Sequence, residues 1–215
     1  MRSLLIGALC ALVISCSPSP SPLLVGAATD LTDAFAEIAQ AYQRETGEAV
    51  TLTFASTGTL SRQIEQGAPL DLIAAADLQS VRDLAAKGLV RADSVTPYAI
   101  GRLVLWTRKD MTARVERLDD LLRDDVKRIA LANPEVAPYG RAAKEAMVNA
   151  GLWTRLQSKL IIAESVRHAL QYAETGNVDV AFAALSTVQS TKERAALVPQ
   201  ALHQPIAQTL GVVTA

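Results

Sequence analysis

The chain has 215 residues, of which 50% are hydrophobic, enough to bury a sizeable core in one large domain or two lobes. Its 21 basic and 22 acidic residues leave a formal net charge of -1 and are mixed along the chain, with no basic stripe to track a phosphate backbone. That balance argues against nucleic acid as a partner.

The first stretch, MRSLLIGALCALVISC, joins a basic start to an apolar run of export-signal length, too short for a comfortable membrane span. Val13-Ile14-Ser15-Cys16 resembles a bacterial lipobox, which makes 1–15 a lipoprotein signal peptide and Cys16 the lipidated first residue of the mature chain. An ordinary signal peptide cleaved nearby is the alternative. Cys10 leaves with the signal, so no intramolecular disulfide is expected. The SPSPSP run then makes 16–22 a lipidated cysteine followed by a stiff, extended tether. The expected location is the periplasm or cell surface, with the membrane reached through the lipid.

From Leu23 onward, short apolar runs alternate with helical patterns. Leu23 to Ala27 reads as a strand, and Leu31, Phe35, Ile38, Ala39 and Tyr42 recur at helical spacing up to Gly47. Val50 to Phe54 has the β-branched content of a second strand, LSRQIEQG reads as a short helix ending at Gly67, and DLIAAA reads as a third strand. Then follow helix LQSVRDLAAKG, strand GRLVLWT, short helix LDDLLRDD and strand RIALAN. Beyond Pro138 come helix GRAAKEAMVNAG, strand KLIIA, helix SVRHALQYAETG, strand VDVAFAAL and a last strand in PIAQTLGVV. Such alternation predicts an α/β fold with mostly parallel sheets.

In sheets of this kind, ligands sit beyond the carboxyl ends of the strands, where helices begin. Four segments qualify: GAATDLT, FASTGTL, ANPEVAPYGR and AESVRHA. The first two carry hydroxyls, and all four offer backbone N–H groups at helix starts, which attract anions without any charged side chain. Aimed at one point, they would hold a small oxyanion. Taken singly, each segment has a plainer reading as a helix cap or turn. Asp30 itself reads as the N-cap of the helix beginning near Leu31, its carboxylate turned back to the N–H of Thr32 or Asp33; the alternative points it into the cleft as an acceptor for a protonated oxyanion. Neither His168 nor His203 has a cysteine or histidine at metal-ligand spacing, and no nucleophile elbow, phosphate loop or complete dinucleotide fingerprint is present. An enzyme is not expected, and no cofactor. Trp106 and Trp153 read as packing residues, and Arg62, Arg141 and Arg167 as surface or interlobe charges.

AATDLTDAFAEIAQAYQRETG, FASTGTLSRQIEQGAPLDLIAAAD, ANPEVAPYGRAAKEAMVNAGLW and AESVRHALQYAETGNVDVAFAALS together resemble the molybdate-binding proteins of bacterial ABC importers, in order from about Leu24 to Val213. The resemblance implies a two-lobed periplasmic binding protein of type II, with the ligand in the interlobe cleft. It implies capture of molybdate or tungstate and delivery to an ABC permease. Carried onto this chain, the ligand set is the Thr29 hydroxyl, the Asp30 backbone N–H, the Thr57 hydroxyl and the N–H groups of Tyr139 and Val166. Ser56 and Gly58 support Thr57. A tyrosine that some members add would fall at Ala184, so the chain is similar to the subgroup without it. Members usually continue past the equivalent of LGVVTA into a C-terminal helix that packs on the first lobe. The implied division is 23–101 plus 190–215 for the first lobe and 102–189 for the second. The alternative function is a receptor for another small anion, such as phosphate or sulfate, on the same fold.

Overall fold

The computed structural model of the chain describes residues 21–112 and 114–214. The expected signal peptide, Cys16 and most of the tether lie outside them. In chain order the first elements are β1 (Leu23–Ala28), α1 (Thr32–Thr46), β2 (Val50–Ala55), α2 (Thr57–Glu65), β3 (Leu72–Ala75), α3 (Leu78–Ala86) and β4 (Thr96–Gly101). Next come β5 (Leu103–Thr107), β6 (Ile129–Ala132), α4 (Pro138–Asn149), α5 (Trp153–Leu156) and β7 (Leu160–Ala163). The last are α6 (Val166–Glu174), β8 (Val180–Ala184), β9 (Ala195–Leu197) and β10 (Ile206–Val212).

These strands form two five-stranded sheets, β2-β1-β3-β10-β4 and β7-β6-β8-β5-β9. Each sheet is mixed. β1 pairs in parallel with β2 and β3, while β10 returns antiparallel to β3 and β4. In the second sheet β6 pairs in parallel with β7 and β8, and β5 runs antiparallel to β8 and β9. Antiparallel pairing enters because β5 and β10 are the strands that carry the chain from one sheet to the other and back. The chain crosses between Gly101 and Leu103, and returns between Leu197 and Ile206.

The sheets shift one expected boundary. β9 binds the free edge of β5, with Val104, Leu105 and Trp106 opposite Leu197, Ala196 and Ala195, so the second sheet runs on past residue 189 and only β10 returns to the first. β4 is absent from the sequence reading because Thr96–Gly101 is almost wholly exposed and carries Pro97. As the edge strand of its sheet it tolerates a residue without an N–H.

Local signals explain the helix ends nearest the site. α1 stops at Gly47, whose φ of 78° is left-handed and whose N–H reaches back to the Gln43 carbonyl. α4 starts on Pro138, which has no N–H to leave unpaired. α2 begins at Thr57, ahead of the expected LSRQIEQG start, so the ST of the STG turn lies at the helix entrance. The largest core cluster draws on both lobes, joining Ala28 and Leu31 to Leu131, Ala143, Val166 and Phe182.

Candidate functional site

The strand ends of both sheets meet at one small cavity of about 10 Å³, about the space of a single water-sized sphere. From the first lobe it takes Ala28, Thr29 and Asp30 after β1, Ser56 and Thr57 at the start of α2, and Ala76 after β3. From the second it takes Ala137, Pro138 and Tyr139 at the start of α4, and Val166 at the start of α6. The five residues expected as ligands, and Ser56, thus share one cavity wall. No lysine, arginine or histidine lines it.

Thr57 is almost fully buried, at 1% exposure. Its Oγ1 accepts a hydrogen bond from the Ala76 N–H at 2.9 Å, which occupies one lone pair and leaves the hydroxyl proton free to donate. This fixes the side chain across two segments that are remote in sequence. Ser56 bonds to the Thr59 hydroxyl at 2.8 Å and makes no side-chain cap to the α2 backbone, so the helix start is not closed off by its own cap. Tyr139 carries the first N–H of α4, since Pro138 has none. Val166 opens α6; the Ser165 side chain that caps this helix accepts from the N–H of His168, at 3.3 Å, and not from that of Val166. Three helix N-termini therefore converge with their positive ends on the cavity.

Gly58 does more than hold Thr57. Its N–H donates to the Val136 carbonyl of the second lobe at 2.8 Å, and an added Cβ would stand 2.8 Å from that same oxygen. Two further contacts tie the lobes together around the cavity. Ser186 Oγ donates to the Asp30 carbonyl at 2.8 Å, and Arg141 bridges to Asp77 at 2.7 Å. Arg62 and Arg167 do not line the cavity, and neither does Ala184, which is buried within β8.

Asp30 departs from the expected N-cap. Neither the 3-10 turn over Thr29–Leu31 nor α1 has a side-chain cap. The Asp30 carboxylate instead accepts from Gln208 Nε2 of β10, at 2.6 Å, and its other oxygen, Oδ1, is buried without a partner. The reason is position: Asp30 is 3% exposed and sits where β10 and α4 close over the end of β1, so its carboxyl meets another lobe-core side chain before it can fold back on its own helix. Burial pushes its pKa up to about 6, against the opposing effect of the Gln208 hydrogen bond. Burial likewise raises the Tyr139 phenol well above its usual range, with the Asp30 charge adding to the effect.

Gln208 is the functional neighbour that sequence reasoning missed. Its signal was present: a lone amide, beside Thr209, inside the mostly apolar PIAQTLGVV strand, 3% exposed in the fold. Among the described residues no cluster of three or more His, Cys, Asp or Glu could hold a metal ion, and no helix is long and apolar enough to cross a membrane. The arrangement can hold a small anion through neutral hydrogen-bond donors.

Comparison with known proteins agrees with this architecture. The family model for the bacterial extracellular solute-binding protein matches residues 23–215. A molybdate-binding protein of Rhodobacter capsulatus is 35% identical over 187 residues, covering 86% of this chain and 73% of its own. A putative ABC transporter substrate-binding lipoprotein of Bacillus subtilis is 31% identical over 98% of this chain and 85% of its own. Among solved structures, the periplasmic molybdate-binding protein of Azotobacter vinelandii superposes with a TM-score of 0.81 at 30% identity, over 89% of this chain and 85% of that one. A family match over residues 23–215, on two mixed α/β sheets with a cavity between them, means that the chain belongs to the bacterial extracellular solute-binding proteins.

Proposed function

We propose that the protein captures molybdate or tungstate in the interlobe cavity and delivers it to an ABC permease. The observation that carries this reading is the set of donors in the cavity wall: two threonines and three helix starts from both lobes, neutral donors with no cation among them. Molybdate and tungstate are fully deprotonated near neutral pH and only accept hydrogen bonds, so these neutral donors suit them. In this reading Thr29 and Thr57 donate their hydroxyls, and Asp30, Tyr139 and Val166 donate backbone N–H groups. Gly58 and Ser56 set the approach of the second lobe. Relatives named for molybdate supply the ligand class.

The Thr57 hydroxyl is paired with a backbone N–H and Ser56 with another hydroxyl, so neither is held by a general base. We therefore read the site as a receptor, not an enzyme. The Gly58 to Val136 and Arg141 to Asp77 contacts already join the lobes around the cavity, so entry and release of the anion require them to part. The VISC lipobox, with a lipoprotein among the relatives, supports attachment to the membrane through Cys16. Replacing Cys16 by Ala should then release the protein from the membrane fraction; equal retention of both forms removes the anchor.

The buried Oδ1 of Asp30 favours one second reading, a receptor for an oxyanion that brings its own proton, such as hydrogenphosphate. Calorimetric titration of the mature protein with molybdate, tungstate, sulfate and phosphate decides between them. Tight molybdate or tungstate binding with weak sulfate binding is the expected result. Tight phosphate binding without molybdate binding overturns it.

A further inference from the structure

The buried cluster behind the anion cavity is short of protons. Asp30 and Tyr139 line both the anion cavity and a second one of about 220 Å³, whose wall also includes Tyr98, Arg102, Ser186 and Gln208. Two acceptors there, Asp30 Oδ1 and Gln208 Oε1, are buried without a hydrogen bond of good geometry, although the Tyr139 phenol and the Asp30 backbone N–H stand close enough to stabilise the carboxylate. A carboxylate only accepts, whereas a carboxylic acid adds one donor. Protonation of Asp30 supplies what this cluster lacks.

The same carboxyl stands on a residue of the anion cavity wall, screened by almost no water, at 3% exposure. A dianion bound there would lie next to the residue that carries this charge, in a poorly polarisable surrounding, and the wall holds no cation to offset it. The groups facing Asp30 from the other elements do not remove the conflict. Tyr98 of β4 and Tyr139 of α4 are phenols that burial holds in the neutral form, and Gln208 of β10 is an amide; Tyr139 and Gln208 give hydrogen bonds to the carboxyl, but neither brings a positive charge. Ser186 gives its hydroxyl to the Asp30 backbone carbonyl, not to the carboxyl. Arg102, beside the second cavity, is the one cation in that wall, and its Nε has no partner; no ion pair joins it to Asp30.

We propose that anion capture by this protein is proton-linked: each dianion that occupies the cavity enters with one proton, which resides on the Asp30 carboxyl. The proton comes from solvent; one O–H bond forms, and nothing is oxidised or reduced. This rests on the reading of the cavity as an oxyanion site, and it adds Asp30 as the residue through which pH and anion protonation state set affinity. In the anion-free protein the carboxyl ionises near pH 6. Above that pH the carboxyl must regain its proton when the dianion binds, so affinity falls by about tenfold per pH unit until the bound form itself ionises.

The test is calorimetry of the mature protein with molybdate, and separately with inorganic phosphate, at pH 6.0 to 8.5 in buffers of different ionisation enthalpy, for wild type and Asp30→Asn. For wild type, the expected result with molybdate is uptake of close to one proton per anion at pH 7.5, with affinity falling as pH rises. Asp30→Asn should bind molybdate with no uptake and a flat pH profile, at least tenfold tighter than wild type at pH 8. Molybdate binding by wild type without proton uptake overturns the proton link while leaving the molybdate reading standing. Phosphate binding above pH 7.5 without uptake, lost in Asp30→Asn and with no molybdate binding, overturns the molybdate reading and keeps the shared proton, because hydrogenphosphate brings it. Binding of neither anion overturns both.

Discussion

The two lobes share a plan and differ in how they are covered. In the second, α4 buries seven residues and α6 four, and β5, β6 and β8 are buried along their whole length. In the first, α1 is the longest helix, yet none of its residues is buried, and Ile38 is 56% exposed. Between α1 and its sheet lies an apolar groove of about 350 Å³, walled by Leu23, Phe35, Tyr42, Leu52, Tyr98 and Leu210. The lobes differ in the same sense at the site. In the proposed site the second lobe offers only backbone N–H groups, from two well-buried helices, while the first adds side chains: two hydroxyls and the Asp30 carboxyl. Backbone donors are as rigid as the helix that carries them, whereas side-chain donors can be replaced one at a time. If the proposed site is right, the second lobe is a fixed platform, and the first carries the positions where a substitution retunes the site.

The largest effect tests the packing half of that contrast. Phe182→Ala, in the fully buried strand β8, should cost about 3–5 kcal/mol of stability in denaturant unfolding. Phe35→Ala, on the half-buried face of α1, should cost less than half as much, because its ring is already partly in water. Equal losses would erase the difference between the lobes.

Asp30→Asn comes next, measured without any anion. A carboxyl that titrates at an ordinary 3.8 unfolded and at about 6 folded holds its proton more tightly in the folded state. Its contribution is fully present below the unfolded value and is lost as pH rises through 6, an ionisation cost of roughly 3 kcal/mol at pH 7. The asparagine variant should therefore match wild type below pH 4 and exceed it in melting temperature at pH 7. A constant difference across that range would mean that Asp30 does not ionise inside the fold.

The smallest effect separates side-chain donors from backbone donors. Thr57→Ala removes a hydrogen bond to a charged ligand, about 1.5–3 kcal/mol, or roughly ten- to a hundredfold in anion affinity. It also strands the buried Ala76 N–H. Val166→Ala keeps the proposed donor, which is backbone, and should leave affinity nearly unchanged. If the two variants weaken binding alike, the lobes do not differ in the way described.

Alternation of apolar runs and helical spacing was enough to locate β1, α1, β2, α4 and α6, because each buries one face or one stripe and must repeat with its own period. Gly47 marked a helix end by chemistry that needs no neighbour, whereas α4 begins at Pro138, two residues ahead of the start expected near Gly140. The segments that build the cavity were legible for the same reason: helix starts leave N–H groups free wherever the helix goes. β4 and β9 were not legible. They are short or exposed, and they exist as strands only because β10 and β5 offer them an edge. The hydroxyl of Thr57 could be read as a donor, but its fixed orientation depends on Ala76, nineteen residues on. Asp30 shows the division most plainly. Its sequence context is that of an N-cap, and in the fold its carboxyl is buried and hydrogen-bonded to Gln208, 178 residues away. Local propensity determined which segments are strands and helices and where free donors would lie. Only the tertiary structure decided which polar groups lost their water together, and the loss of water is what turns an ordinary aspartate into a buried carboxyl that competes for its proton.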